Sequence, residues 1–428
     1  MLTIINKNKQ TELYEKLVAR SRMDYPMINE AVLEIIKQVK TYGDEALISY
    51  TKAFDGAMLS SFRVSDEAIK DAYRSMDPIL IEDLKKAMIN IEFYHEKQKI
   101  QPFEYTQEPG IKIGQKVSAI SSVGIYVPGG TASYPSTVLM NAIPAKIAGV
   151  KRIVIITPPD TTGKVNPTIL AAAYLCGIYE IYSIGGAQGI AALAYGTQSI
   201  PKVAKIVGPG NMYVAMAKKL VSGDVGIDMI AGPSEVLIIA DQYANPSYIA
   251  CDLMAQAEHD PYAASILVTN SIELARNVNL AIEKEIKSLS RKSIIENAFN
   301  NVGAIIVVDD LDEAVAISNR IAPEHLEILT RNYDDILKDI EHAGSIFLGS
   351  YTPEPVGDYY AGPNHTLPTS GTATFSSALS VNDFMKKSSY VYYSKEALNQ
   401  AKDSIIRLAE SERLTAHARA ISIRFDQE

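Results

Sequence analysis

From about residue 110 the chain breaks into short apolar runs separated by glycine and proline, with helix-like stretches between them, and few folds absorb that pattern. Strand candidates lie at 117–127, 152–157, 180–184 and 205–207, and helical candidates at 137–148, 167–176, 189–195 and 212–221. Strands alternating with helices at this spacing make βαβ units and a parallel sheet. A second alternating set follows: strand 235–240, a helix running to His259, strand 265–268, helix 272–288, strand 304–308, a helix from Asp312, and strands 326–329 and 345–348. The expectation is two similar α/β layers. Open α/β sheets bind ligands beyond the carboxyl ends of their strands, so those loops are the ones to search.

The flanks read differently. Residues 11–20 form a short amphipathic piece, and 29–54 places Val32, Ile35, Ile36 and Val39 at helical spacing. Ser65-Asp66-Glu67 has the form of an N-cap with an acidic first turn, and the helix continues to about Lys99 with an interruption at Pro78. His95 stands there in plain helical context, a surface or internally satisfied histidine. From Ser380, one β-like run at 389–393 and a long helix from Glu396 read as an arm.

Composition removes several functional classes. A chain of 428 residues exceeds a single core and implies two or three domains. Hydrophobic residues at 47% and charged residues at 21% describe an ordinary soluble protein. A net charge of −9 with no Lys/Arg cluster argues against nucleic acid and against anionic membrane. No apolar run is long enough to span a bilayer, and the apolar run within residues 1–7 is shorter than a signal peptide is expected to carry. Cys176 and Cys251 make no disulfide framework and fit a reducing cytoplasm. Cys176 lies in an apolar helical run and reads as core, not as a nucleophile.

Three strand ends carry small, flexible loops: Tyr126-Val127-Pro128-Gly129-Gly130, Gly185-Gly186-Ala187-Gln188-Gly189 and Gly208-Pro209-Gly210-Asn211. Glycine lets backbone N–H groups approach a phosphate, and a following helix N-terminus adds positive potential. None matches a dinucleotide fingerprint or a P-loop. Taken singly each is an ordinary turn; three in one sheet favour a nucleotide or dinucleotide.

The acid–base groups come later. Gln256 and His259 stand three apart at the end of an apolar helix that must stop near Pro261, so they share a face where ligands bind. Glu324-His325 lies where a helix meets a strand, and both groups can move protons near neutral pH. Asp358 and His365 share a loop punctuated by Gly and Pro, and Glu412 and His417 lie in the tail. Such a mixed oxygen and nitrogen set suits zinc or a neighbouring divalent metal. The zinc-deaminase and zincin patterns are missing. Cys251 is eight residues from His259, about 12 Å along a helix, and cannot share its metal.

Seven blocks in order, Tyr126-Val127-Pro128-Gly129-Gly130, Gly185-Gly186-Ala187-Gln188, Val207-Gly208-Pro209-Gly210-Asn211, Ala231-Gly232-Pro233-Ser234-Glu235, Gln256-Ala257-Glu258-His259-Asp260, Pro323-Glu324-His325 and Gly362-Pro363-Asn364-His365, closely resemble the histidinol dehydrogenase family. The resemblance runs from about residue 110 to the end. Gly189 and Thr374 depart from it, standing where the family pattern has Ala and Arg, but neither carries a role here.

The resemblance implies two similar Rossmann-like α/β domains with parallel sheets, plus an N-terminal helical segment and a C-terminal arm. The spans it suggests are 1–22 for the segment, 23–125 with 235–378 for the domain bearing metal and catalytic residues, 126–234 for the domain bearing the NAD loops, and 379–428 for the arm. It implies an NAD- and zinc-dependent four-electron oxidation of L-histidinol to L-histidine through bound L-histidinal, the last steps of histidine biosynthesis. One zinc per subunit would be held by Gln256, His259, Asp358 and His417. Ser234, Gln256, His259, His325, Asp358, Glu412 and His417 would bind the substrate, with His365 a further polar contact, and Tyr126, Gln188 and Asn211 would contact NAD. His325 would be the base for both oxidations and Glu324 would activate water.

The implied protein is a cytoplasmic homodimer whose arm, with His417, completes the partner's site. Glu412 and His417 are five apart, about 140° around a regular helix, so the helix must break or the two must approach opposite sides of the substrate. Two rivals remain at this level: a nucleotide sensor without turnover, and a dehydrogenase of the same fold acting on another amino alcohol or a sulfonate.

Overall fold

The computed structural model describes residues 1–6, 26–129 and 133–426, so the expected amphipathic piece at 11–20 and Gly130 lie outside the described residues. The chain forms two compact units, Met1–Gln98 with Ile120–Phe384, and Lys99–Ala119 with Met385–Glu428.

Strands in chain order are β1 (Thr3–Asn6), β2 (Phe103–Thr106), β3 (Ile111–Ala119), β4 (Ser122–Tyr126), β5 (Arg152–Thr157), β6 (Ile181–Ser183), β7 (Lys205–Val207), β8 (Gly226–Ile227), β9 (Glu235–Ala240), β10 (Ala264–Thr269), β11 (Gly303–Val307), β12 (His325–Leu329), β13 (Ser345–Leu348) and β14 (Met385–Tyr393). In the first unit, a five-stranded sheet has the order β6-β5-β4-β7-β8 and a six-stranded sheet the order β1-β11-β10-β9-β12-β13. All their pairings are parallel. Counting from β4 in one and β9 in the other, both run third-second-first-fourth-fifth, the Rossmann order. The expected pair of similar parallel layers is therefore present, and the likeness is one of topology.

Period-two packing explains why these runs are strands. Val236, Ile238 and Ala240 of β9 face one apolar cluster, while Leu237 and Ile239 face the other. A parallel strand covered by helices on both faces reads as continuous hydrophobic sequence.

Three features differ from the sequence reading. Residues 3–6 are not helical; they add an edge strand, pairing Ile4 with Ile305, and Asn279 pins the entry by bonding both polar groups of Leu2. The 29–54 stretch is two helices, Pro26–Tyr42 and Asp44–Asp55, parted at Gly43, whose φ of 56° is a left-handed value that glycine adopts without strain. Finally, the helices between residues 26 and 96 pack against the five-stranded layer, and the last of them, Pro78–Glu96, also touches residues 360–364 through Asn90 and His95. Val32, Ile35, Ile36 and Val39 share a core with Ile190, Leu193 and Val214, and β4 itself sits at the centre of that sheet. Sequence order alone does not say which layer a preceding helix covers.

The second unit is an antiparallel sheet, β14-β3-β2, with helices Lys395–Ser411 and Thr415–Ser422. The arm thus includes residues 99–119, which lie far from it in sequence.

The core makes a direct prediction. Ile305 is fully buried in β11, and Ile305→Ala should cost roughly 2–5 kcal/mol, seen as a lower urea midpoint. An unchanged midpoint would mean that this sheet does not limit stability.

Candidate active site

Both layers of the first unit contribute to a cavity of about 500 Å³. The five-stranded sheet offers its carboxyl edge: Pro128 follows β4, and Pro209, Gly210 and Asn211 follow β7. These loops flank the point where the strand order reverses, between β4 and β7. The six-stranded sheet offers its amino edge instead. Ser234 precedes β9, Pro261 and Tyr262 precede β10, and Glu324 and His325 stand at the start of β12. The carboxyl-end rule therefore holds for the glycine loops and fails for the acid–base residues.

The geometry of the crossover helix accounts for this. Helix Pro246–Ala257 runs back from the carboxyl end of β9 toward the start of β10, so its last turn delivers Gln256 and His259 to the amino edge. At the opposite edge, between β9 and β12, Asp241 accepts the Arg331 N–H at 2.8 Å, and the Arg331 guanidinium lies 3.7 Å over the Tyr243 ring.

The ligand donors converge from two helices. Pro353 starts the short helix Glu354–Tyr359, which places Glu354 and Asp358 four apart on one face. One ligand atom each from His259, Glu354 and Asp358 lie within 4.8 Å of one another. Gln256 is fully buried, and neither its Oε1 nor its Nε2 has a hydrogen-bond partner. A buried amide left so costs several kcal/mol in an apolar setting. A divalent metal at Oε1 would answer that cost, so the residues present fit zinc.

Burial pushes the Asp358 carboxyl up to about 7. Glu354 is also raised well above the usual carboxylate range, by burial and then by the charge of Asp358. Beneath them, Glu327 of β12 accepts the Glu354 N–H at 2.9 Å and so fixes the start of the ligand helix. Asp252, one turn before Gln256, faces Glu327; burial pushes Asp252 up to about 6, and burial with the Asp252 charge raises Glu327.

His325 is held as a neutral imidazole. Its Nδ1 lies 2.9 Å from the Glu235 carbonyl, which only accepts, so the proton sits on Nδ1 and the Nε2 lone pair is free. That Nε2 is buried without a partner, 3.9 Å from Asp358 Oδ1. Burial pulls the imidazole down to about 3, keeping it neutral. Glu324 accepts the Glu235 N–H at 2.9 Å and is raised well above the usual carboxylate range, first by burial and then by the Glu235 charge. His365 donates from Nδ1 to the Asp358 carbonyl at 3.0 Å, and burial lowers it to about 4.

On the other wall, Asn211 caps helix Met212–Val221. Its Oδ1 accepts from the Tyr213 and Val214 N–H groups, leaving the amide NH2 for a ligand. Tyr126 and Gln188 do not line the cavity. The Tyr126 hydroxyl accepts the Gly186 N–H at 3.3 Å and so ties two glycine loops together, while buried Gln188 keeps an unpartnered Oε1.

Glu412 and His417 belong to the second unit, where both line an apolar groove with Leu408 and Leu414. The helix does break between them: it ends at Ser411, Arg413 takes a φ of 61°, and a new helix starts at Thr415. His95 is a satisfied core histidine, bonded through Nδ1 to Ile91 O and through Nε2 to Asn364 beside His365. The buried Cys176 thiol is pushed up to about 12, consistent with core packing.

Sequence reasoning did not single out Glu354, Asp252 or the carbonyl of Glu235. Glu354 had a signal, four residues before Asp358 and just after a proline; the other two act through contacts between distant strands.

Comparison with known proteins places this arrangement. The family model described as histidinol dehydrogenase matches residues 18–425. The histidinol dehydrogenase of Clostridium acetobutylicum is 56% identical over 412 residues, 96% of each chain. That of Caldanaerobacter subterraneus subsp. tengcongensis is 53% identical over 99% of each. The crystal structure of histidinol dehydrogenase from Elizabethkingia anophelis matches with a TM-score of 0.93 at 39% identity, covering 100% of this chain and 98% of that one. Fold and site together define an α/β enzyme of the oxidoreductase class. The chain belongs to the histidinol dehydrogenase family.

The buried acids predict a pH signature. Because Asp358 is raised to about 7 in the folded state, its stabilising share is complete below the ordinary carboxylate range and is lost as pH rises through about 7. The Tm of metal-stripped protein should therefore fall between about pH 5 and pH 8, and zinc should restore it at the upper end. Asp358→Asn should flatten the slope; an equally steep slope in that variant would remove Asp358 as its source.

Proposed function

We propose that the protein oxidises L-histidinol to L-histidine through bound L-histidinal, with NAD and one zinc per subunit, as a cytoplasmic homodimer. The observation that carries this reading is the neutral, unpartnered Nε2 of His325 beside Asp358 and Glu324, in a cavity whose other wall is the Gly208–Asn211 loop. Gln256, His259 and Asp358 would hold the zinc, joined by His417 of the partner subunit. When bound, zinc orients the substrate's amine and imidazole, and NAD accepts hydride.

The chain's own groups do the proton work. A carbinol carbon gives up hydride only as its hydroxyl loses a proton, and His325 Nε2 takes that proton. The aldehyde needs one added water, and Glu324 removes a proton from it. His325 then takes a proton from the resulting gem-diol as the second hydride leaves. Overall, one alcohol and one water yield one carboxylate, two hydrides and three protons. The route needs no thiol adduct, in keeping with the raised Cys176. Ser234 and His365 would orient the substrate, Glu412 and His417 would reach it from the partner's arm, and Tyr126, Gln188 and Asn211 would support NAD.

NADH formed per histidinol consumed tests the chemistry. Wild type should give two NADH and histidine. Glu324→Gln should keep the first oxidation but stall near one NADH, while His325→Ala should lose about 10²–10⁴-fold in both. Two NADH from Glu324→Gln would remove Glu324 as the water base. Wild type that binds NAD but forms no NADH would favour a sensor or another substrate.

Subunit sharing has its own test. His417→Ala and His325→Ala proteins are each expected to be inactive. Refolded together, half the dimers are mixed and each has one complete site, so about a quarter of wild-type activity should return. No recovery would mean that each site uses its own His417.

A further inference from the structure

Lys218 and Asp228 form an ion pair at 2.5 Å with side chains 2% and 0% exposed, and neither lines the cavity. Both reach Gly208. Lys218 Nζ donates to the Gly208 carbonyl at 2.9 Å, and Asp228 Oδ2 accepts the Gly208 N–H at 2.8 Å. Two opposite charges thus grip both polar groups of one glycine. That glycine has a φ of 108°, and a Cβ on it would stand 2.2 Å from Tyr126 O, so the loop lies hard against the end of β4. Lys218 also lies seven residues past Asn211, two turns along the same helix face, which ties the loop to the helix that Asn211 caps.

A buried ion pair gains little stability over well-packed apolar side chains of similar size. What this pair does uniquely is hold Gly208 at both ends, where loop 208–211 forms a wall of the cavity. We propose that Lys218 and Asp228 are a positioning pair that holds this loop in the conformation that receives the dinucleotide. This rests on the NAD reading above. Lys218 and Asp228 touch neither NAD nor substrate; they act through the Gly208 peptide groups and the Asn211 amide.

The test is the double variant Lys218→Met/Asp228→Asn, which removes both charges at near-constant volume and leaves no lone buried charge. In zinc-loaded protein, calorimetric titration should show NAD binding weakened at least about tenfold. KM for NAD should rise in step, while KM for histidinol and zinc content stay at wild-type values. Lys218→Arg, which keeps the charge, should retain most of the affinity. A folded double variant that binds NAD within about twofold of wild type overturns the proposal. So does failure of every variant to fold, since the pair would then be a structural support. Wild type that binds no NAD at all would overturn the dinucleotide reading itself, a separable result.

Discussion

Glu354 and Glu324 are buried carboxyls and Asp358 is a largely buried one, and among the described residues none is ion-paired to a Lys or Arg. Burying a carboxylate without a partner is among the costliest things a fold can do, and the usual escape is to hold a proton. Burial raises all three carboxyls, the direction of that escape. A divalent cation held among His259, Glu354 and Asp358 would offset that cost for the two acids of the cluster. Much of the surrounding structure is understandable as support for that arrangement: Glu327 fixes the start of the ligand helix, the Glu235 carbonyl fixes the tautomer of His325, and the Glu235 N–H bonds Glu324.

Two sheets of the same strand order serve the cavity from opposite edges. In the five-stranded layer the reversal between β4 and β7 opens a crevice whose loops can receive a ligand. In the six-stranded layer the corresponding place is held together by Asp241 and Arg331, and the chemistry has moved to the other edge. A repeated fold thus supplies binding loops with one copy and acid–base residues with the other. The division follows from which end of each crossover helix faces the shared space.

Much of this was legible in the residues. The alternation after residue 110 announces parallel sheets because a strand buried on both faces is apolar throughout. The grouping of Gln256 with His259 follows from a spacing of three at a helix end, while the spacing of five between Glu412 and His417 left a helix break as one of two alternatives, and the structure shows the break. Less visible was what depends on contacts remote in sequence. The helices before residue 98 cover the five-stranded layer, residues 3–6 join the six-stranded one, and 99–119 pair with the arm. Nothing in the local pattern of those segments names the partner they pack on.

The sequence by itself determined the fold class, the family and most of the candidate acid, base and ligand side chains, though not Glu354 or Asp252, because periodicity and residue chemistry are local properties. Only the tertiary structure decided that Glu354 joins His259 and Asp358, that Nε2 and not Nδ1 of His325 is the free nitrogen, and that Lys218 and Asp228 close on Gly208. Each of those depends on where a distant carbonyl, N–H or carboxylate comes to rest, and that position is set by packing between layers.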